Sequence, residues 1–176
     1  MIDVSASRSA IEGRLRFAAL DFPCMLGRSG IVSNKREGDG GTPAGVFPLR
    51  QVRYRPDRVA PPSTKGLPVL AARASDGWCD APTDPGYNSL VQLPYPASAE
   101  KMWRDDRLYD LLAVIGYNDA PPVPGRGSAI FLHVARHDGD SGKFAPTVGC
   151  VSMPVESLVA VLAACTPATR IRIRTI

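Results

Sequence analysis

The chain lacks a good deal. No apolar run approaches the roughly 18–20 residues that would span a bilayer, so no integral membrane segment is expected. The first eight residues, MIDVSASR, are not a basic start leading into a long apolar stretch, so a secretory leader is not read there. Lys and Arg are scattered rather than gathered into runs interleaved with aromatics, which argues against a nucleic-acid partner. The four cysteines, Cys24, Cys79, Cys150 and Cys165, form no CxxC pair, which removes the usual zinc-ribbon and thioredoxin-like sites. There are only two histidines, His133 and His137. We see no internal repeat and no domain boundary, and read residues 1–176 as one domain.

What is present is a chain of 176 residues with 44% hydrophobic and 22% charged residues, a normal balance for a globule with one core. The net charge of +4 is mild and would favour an acidic polymer or surface. Seventeen prolines and sixteen glycines cut the chain into short pieces, which predicts a mainly β architecture. Residues 2–6 and 14–19 read as an opening hairpin, and residues 24–26, 46–54, 108–117 and 129–136 as further strands. Residues 35–43 read as a flexible loop. Residues 56–97 read as a long loop with one short strand at 67–70, a stretch long enough to act as a binding feature. Ser98 is expected to cap a short helix to Arg104. Val155, Leu158, Val159 and Leu162 have helical spacing, with Pro154 in the first turn. The alternation at 170–174 predicts a strand with arginines outward, more simply a charged edge strand than an anion-binding surface.

Chemistry concentrates in Thr147-Val148-Gly149-Cys150-Val151. Glycine before a cysteine lets the backbone bend and removes a side chain that would block the sulfur. His133, at the end of an apolar strand, is the natural base for that thiol, either on demand or as a standing ion pair. The helix after Pro154 places Cys150 near a helix N-terminus, and the amides of Gly149 and Cys150 are candidate oxyanion donors. A catalytic thiol of this kind is expected to alkylate well below pH 8.5, roughly the free-cysteine pKa. His133, His137 and Cys150 could also be arranged around zinc. No glutamate accompanies the HxxxH, and no metal site is assigned. His137, in the run 136–142, is expected on a surface loop. Thr147, Asn118 and Arg126 are candidate substrate contacts, with backbone capping, a plain turn and a solvated loop as their respective ordinary roles. Trp78, Tyr87 and Tyr95 offer rings for stacking on sugar or peptide, with core filling the better reading for Trp78.

The arrangement His133, then Thr147-x-Gly149-Cys150-Val151, resembles the YkuD-type L,D-transpeptidases. So does Thr42-Pro43-Ala44-Gly45-Val46-Phe47 upstream. A compact branch of that family is the nearest pattern, with Gly116-Tyr117-Asn118-Asp119 and Pro124-Gly125-Arg126-Gly127-Ser128 as further matches. Two positions depart from the common pattern: Val148 where many members have histidine, and Ser152 where many have an arginine that helps shape the site. The resemblance implies a YkuD-like curved sheet or β-sandwich with one or two short helices. It implies a cysteine-dependent enzyme that crosslinks peptidoglycan stem peptides through an acyl-thioester on Cys150, with no cofactor and no metal. In the commonest family reaction the donor bond follows diaminopimelate; some members use the bond after L-alanine. Action as a monomer is expected, in the periplasm because that is where the substrate lies, with a cytoplasmic location as the other reading. The alternatives are L,D-carboxypeptidase or amidase action on the same stems, and a non-catalytic cell-wall-binding module.

Overall fold

A computed structural model describes residues 1–139 and 142–176. The chain begins with β1 (Ile2–Ala6), β2 (Glu12–Phe17) and β3 (Leu20–Met25), an antiparallel meander. The first hairpin is the expected one, but its second strand stops at Phe17. Ala18 takes a left-handed φ of 53° and turns the chain into β3.

Two short strands follow, β4 (Ile31–Val32) and β5 (Thr42–Pro43), paired in parallel, and then the long β6 (Gly45–Tyr54). The loop between β4 and β5 is tied down rather than loose. Lys35 is buried and its ammonium lies 2.6 Å from Asp39 Oδ1. The same carboxylate accepts the backbone amides of Arg36 and Gly41.

The long proline-rich stretch carries more strand than its sequence suggests: β7 (Val69–Ala71), β8 (Asp76–Cys79) and β9 (Leu90–Gln92). The predicted helix after Ser98 is instead β10 (Ala99–Lys101), which pairs with β8. A helix from Ser98 to Arg104 would be too short to hold on its own, and the ladder to β8 supplies the hydrogen bonds that local propensity does not.

The remaining elements are β11 (Leu111–Ile115), β12 (Phe131–Val134), β13 (Val151–Met153), α1 (Val155–Ala163) and β14 (Arg170–Thr175). The helix stands where its periodicity placed it, with Pro154 one step earlier than expected: it is the N-cap, and its carbonyl accepts the Leu158 amide. Leu158, Val161 and Leu162 form its buried stripe.

Among the described residues the main sheet has nine strands, in the order β11-β12-β13-β3-β2-β1-β14-β6-β7. β11 also pairs with β6, so the curved sheet closes on itself, leaving β7 as an appendage. The mainly β fold with one short helix thus agrees with the YkuD-like expectation. Closure also changes the reading of β14. It is not an edge: it runs parallel to β1 and antiparallel to β6. Arg172 and Arg174 both reach Asp3 on the neighbouring strand, and the two guanidiniums hold that carboxyl down at about 2.

Two apolar clusters flank the sheet. The larger holds Ile2, Val4, Leu15, Leu132, Val151, Met153 and the helix stripe. The smaller holds Trp78, Met102, Tyr109, Leu112, Phe131 and Cys150. They take opposite sides of β12 and β13, because successive strand residues point to opposite faces.

Candidate active site

The β12–β13 pair builds the site. These strands are parallel, with Leu132 opposite Val151, His133 opposite Ser152 and Val134 opposite Met153. Leu132, Val151 and Met153 face the larger core. The alternate residues Phe131, His133, Cys150 and Ser152 therefore share the other face. A cavity of about 460 Å³ opens there, lined by Cys150, His133, Thr147, Gly149 and Ser152 together with Lys35, Glu37, Asp80, Glu100, Arg104 and Tyr109.

Backbone geometry at Gly149-Cys150 explains both sequence motifs. Gly149 has φ of 144°, a conformation that side chains rarely adopt, and a Cβ there would lie 3.0 Å from the Gly41 carbonyl oxygen. The Thr147 hydroxyl accepts the Gly149 amide at 3.1 Å and donates to the Cys150 carbonyl at 2.7 Å. Thr42, from the upstream Thr-Pro segment, donates to the same carbonyl at 3.3 Å and accepts the Gly27 amide at 2.8 Å. The two motifs meet because two hydroxyls clasp one peptide. Of the two amides nominated for an oxyanion, that of Gly149 is engaged by the Thr147 hydroxyl.

Cys150 Sγ sits between two backbone groups. It accepts the Phe131 amide at 3.3 Å and donates to the Ala129 carbonyl at 3.2 Å. Ala129 holds a left-handed φ of 53°, kept in place by the Asn88 side chain, whose oxygen accepts the Ala129 amide at 3.0 Å. Burial pushes the thiol up to about 12; the charge of Glu100 adds to this and the Phe131 amide opposes it.

His133 is likewise buried, which lowers its pKa to about 4 against the opposing effect of the Val134 carbonyl. That carbonyl, 2.8 Å from Nδ1, can only accept, so Nδ1 carries the ring proton and Nε2 presents its lone pair. Both shifts favour the uncharged forms, a thiol on Cys150 and an imidazole on His133. Burial of both groups opposes the standing ion pair and the readily alkylated thiol expected from the sequence.

Polar groups that the sequence did not single out complete the wall. The Tyr109 ring meets His133 edge to face at 5.4 Å, and its hydroxyl donates to Glu100 at 2.6 Å. Arg104 lies over the Tyr109 ring and pairs with Glu100 and Asp106. Burial raises the Glu100 carboxyl, with Asp80 adding to the shift. Glu100 was hidden in the segment read as a helix; a period-two reading of 99–102 would have put it on one face with Met102.

Asn118 and Arg126 do not line this cavity. The Asn118 amide clasps its own loop, donating to the Val123 and Gly127 carbonyls and accepting the Val123 amide. Arg126 is exposed and donates to Asn34. Trp78 is core, its indole nitrogen bonded to Asn88. Tyr87 is buried with its hydroxyl on Glu37, and Tyr95 bonds Asp84. His137 is exposed and stacks on Phe144; of its loop, residues 140 and 141 lie outside those described.

Comparison with curated proteins and with solved structures returns no match. The family model of the L,D-transpeptidase catalytic domain, YkuD, matches residues 1–173. That span takes in both clasped motifs, the His133 strand and nearly all of the closed sheet, and the chain belongs to the YkuD family of L,D-transpeptidase catalytic domains.

Proposed function

We propose that this chain is a cysteine L,D-transpeptidase that joins peptidoglycan stem peptides through an acyl-thioester on Cys150. The observation that carries this reading is that Cys150 and His133 line one cavity, with His133 Nδ1 held on the Val134 carbonyl. Family members act on peptidoglycan, which supplies the substrate class.

The chemistry starts from a neutral pair. As Sγ attacks the donor carbonyl carbon, its proton moves to His133 Nε2, so free thiolate does not accumulate. The Cys150 amide is the donor available to the developing oxyanion. The C–N bond breaks, Nε2 returns the proton to the leaving amine, and the thioester remains. A second stem's amine then attacks the thioester carbon and gives its proton to Nε2. The C–S bond breaks, and the sulfur regains its proton from the imidazolium. No metal or organic cofactor enters these steps. The reading takes residues 1–176 as one domain, acting as a monomer outside the cytoplasm where the wall is assembled.

Purified stem peptides with product analysis test it. Wild-type protein is expected to yield crosslinked dimers and Cys150→Ala none. Dimers formed by the Cys150→Ala variant would sink the proposal, and hydrolysed stems alone would replace transfer with carboxypeptidase action.

A further inference from the structure

Ser152 is a polar side chain in a position that needs an explanation. It is 1% exposed, and its hydroxyl has no hydrogen-bond partner among the described residues. A buried hydroxyl without a partner costs stability. Alanine would fill the same place in the strand without that cost. Nothing in the resting fold uses the oxygen.

Its placement points to a use. Ser152 lines the cavity that holds Cys150 and His133. It stands two residues after Cys150, hence on the same face of the strand. It is also the register partner of His133 on the adjacent parallel strand, roughly 5 Å away across the ladder. Turning the side chain to another staggered position breaks no bond, because it makes none. The register thus sets Ser152 beside His133 in the wall of the same cavity, on the side from which a group bound at the imidazole is approached.

We infer that Ser152 Oγ is the second hydrogen-bond acceptor for the attacking amine, and so a determinant of transfer over hydrolysis; this rests on the transpeptidase reading above. A neutral primary amine has two N–H bonds and one lone pair. His133 Nε2 takes one N–H as the general base. Ser152 Oγ accepts the other, which leaves the lone pair directed at the thioester carbon. During attack the N–C bond forms, the Nε2-bound proton leaves nitrogen, and the C–S bond breaks; the N–H on Ser152 stays with the product amide. Water turns freely at His133 and needs no second acceptor to present a lone pair, so hydrolysis depends less on Ser152.

The test separates acylation from attack. An aryl ester of a stem peptide serves as donor, since its phenolate leaves without needing a proton from His133. The acyl-enzyme is then offered a tripeptide stem with a free diaminopimelate amine. Ser152→Ala is expected to acylate like wild type and to lose about three- to tenfold in the ratio of aminolysis to hydrolysis, the worth of one hydrogen bond. Its Tm is expected to stay level or rise. An unchanged ratio overturns the inference, and a fall in Tm with an unchanged ratio assigns the hydroxyl a structural role instead. Failure of the wild-type protein to acylate at all would overturn the transpeptidase reading itself, a result visible in the intact mass before any amine is added.

Discussion

The two faces of β12 and β13 are built to opposite standards. On one, Leu132, Val151 and Met153 are apolar, fully buried and packed with the helix stripe. On the other, one residue along in each strand, the buried side chains are polar or titratable: His133, Cys150 and Ser152. His133 is held neutral, Cys150 is held protonated, and Ser152 has an idle hydroxyl. The period of two lets a single pair of strands serve both ends. Burial on the first face makes stability; burial on the second fixes reactive groups in the wall of the cavity.

Substitutions on the two faces should break differently. His133→Gln is expected to lower crosslinking by about 10²- to 10⁴-fold, the usual worth of a general base, while leaving the fold intact. Leu132→Ala, its immediate neighbour, is expected to cost about 2–5 kcal/mol in denaturant unfolding as a cavity in the core. If His133→Gln unfolds the protein, or Leu132→Ala leaves it as stable as wild type, the division of labour is wrong. Gly149→Ala tests the link between the faces. The left-handed backbone and the Gly41 carbonyl leave no room for a methyl, so a loss of about 1–3 kcal/mol is expected together with loss of activity.

The contrast also has a pH signature. His133 titrates near 4 when folded but near 6.5 when unfolded. Below pH 6.5 the unfolded chain takes up the proton first, so stability falls as pH drops toward 4, by about 3 kcal/mol over that window. Cys150 works in the other direction: raised from 9.0 to about 12, it loses stability as pH rises above 9, because the unfolded thiol ionises first. Cys24 and Cys165, raised to about 12 and about 11 by burial, steepen that alkaline limb. Chemical denaturation across pH should show the acid limb flatten in His133→Gln and the alkaline limb soften in Cys150→Ala.

Much of this was legible in the sequence where the signal is local. Gly149 before Cys150, the helical spacing after Pro154, the alternation at 170–174 and the paired motifs that mark the family all depend on a few neighbouring residues. What the sequence hid depends on distant partners. The segment around Glu100 reads as a capped helix until β8 offers it an edge. The arginines of β14 look like an exposed edge until sheet closure sets Asp3 beside them. The loop after β4 looks loose, yet Asp39 alone ties three of its groups. The burial of Cys150 was the least legible feature of the site. A glycine, a histidine and a helix start all suggest a thiolate, but the burial that opposes it is built with Trp78, Met102, Tyr109 and Phe131, brought in from separate segments.

The most direct measurement is the intact mass of the protein after incubation with a donor stem peptide, taken alongside the rate of thiol alkylation in the free protein. A neutral, substrate-triggered pair predicts slow alkylation of Cys150 at neutral pH and an acyl adduct, the stem less its leaving amine, on Cys150 of wild type but not of His133→Gln. Rapid alkylation of Cys150 in the absence of substrate, or an adduct that forms equally well without His133, would contradict it.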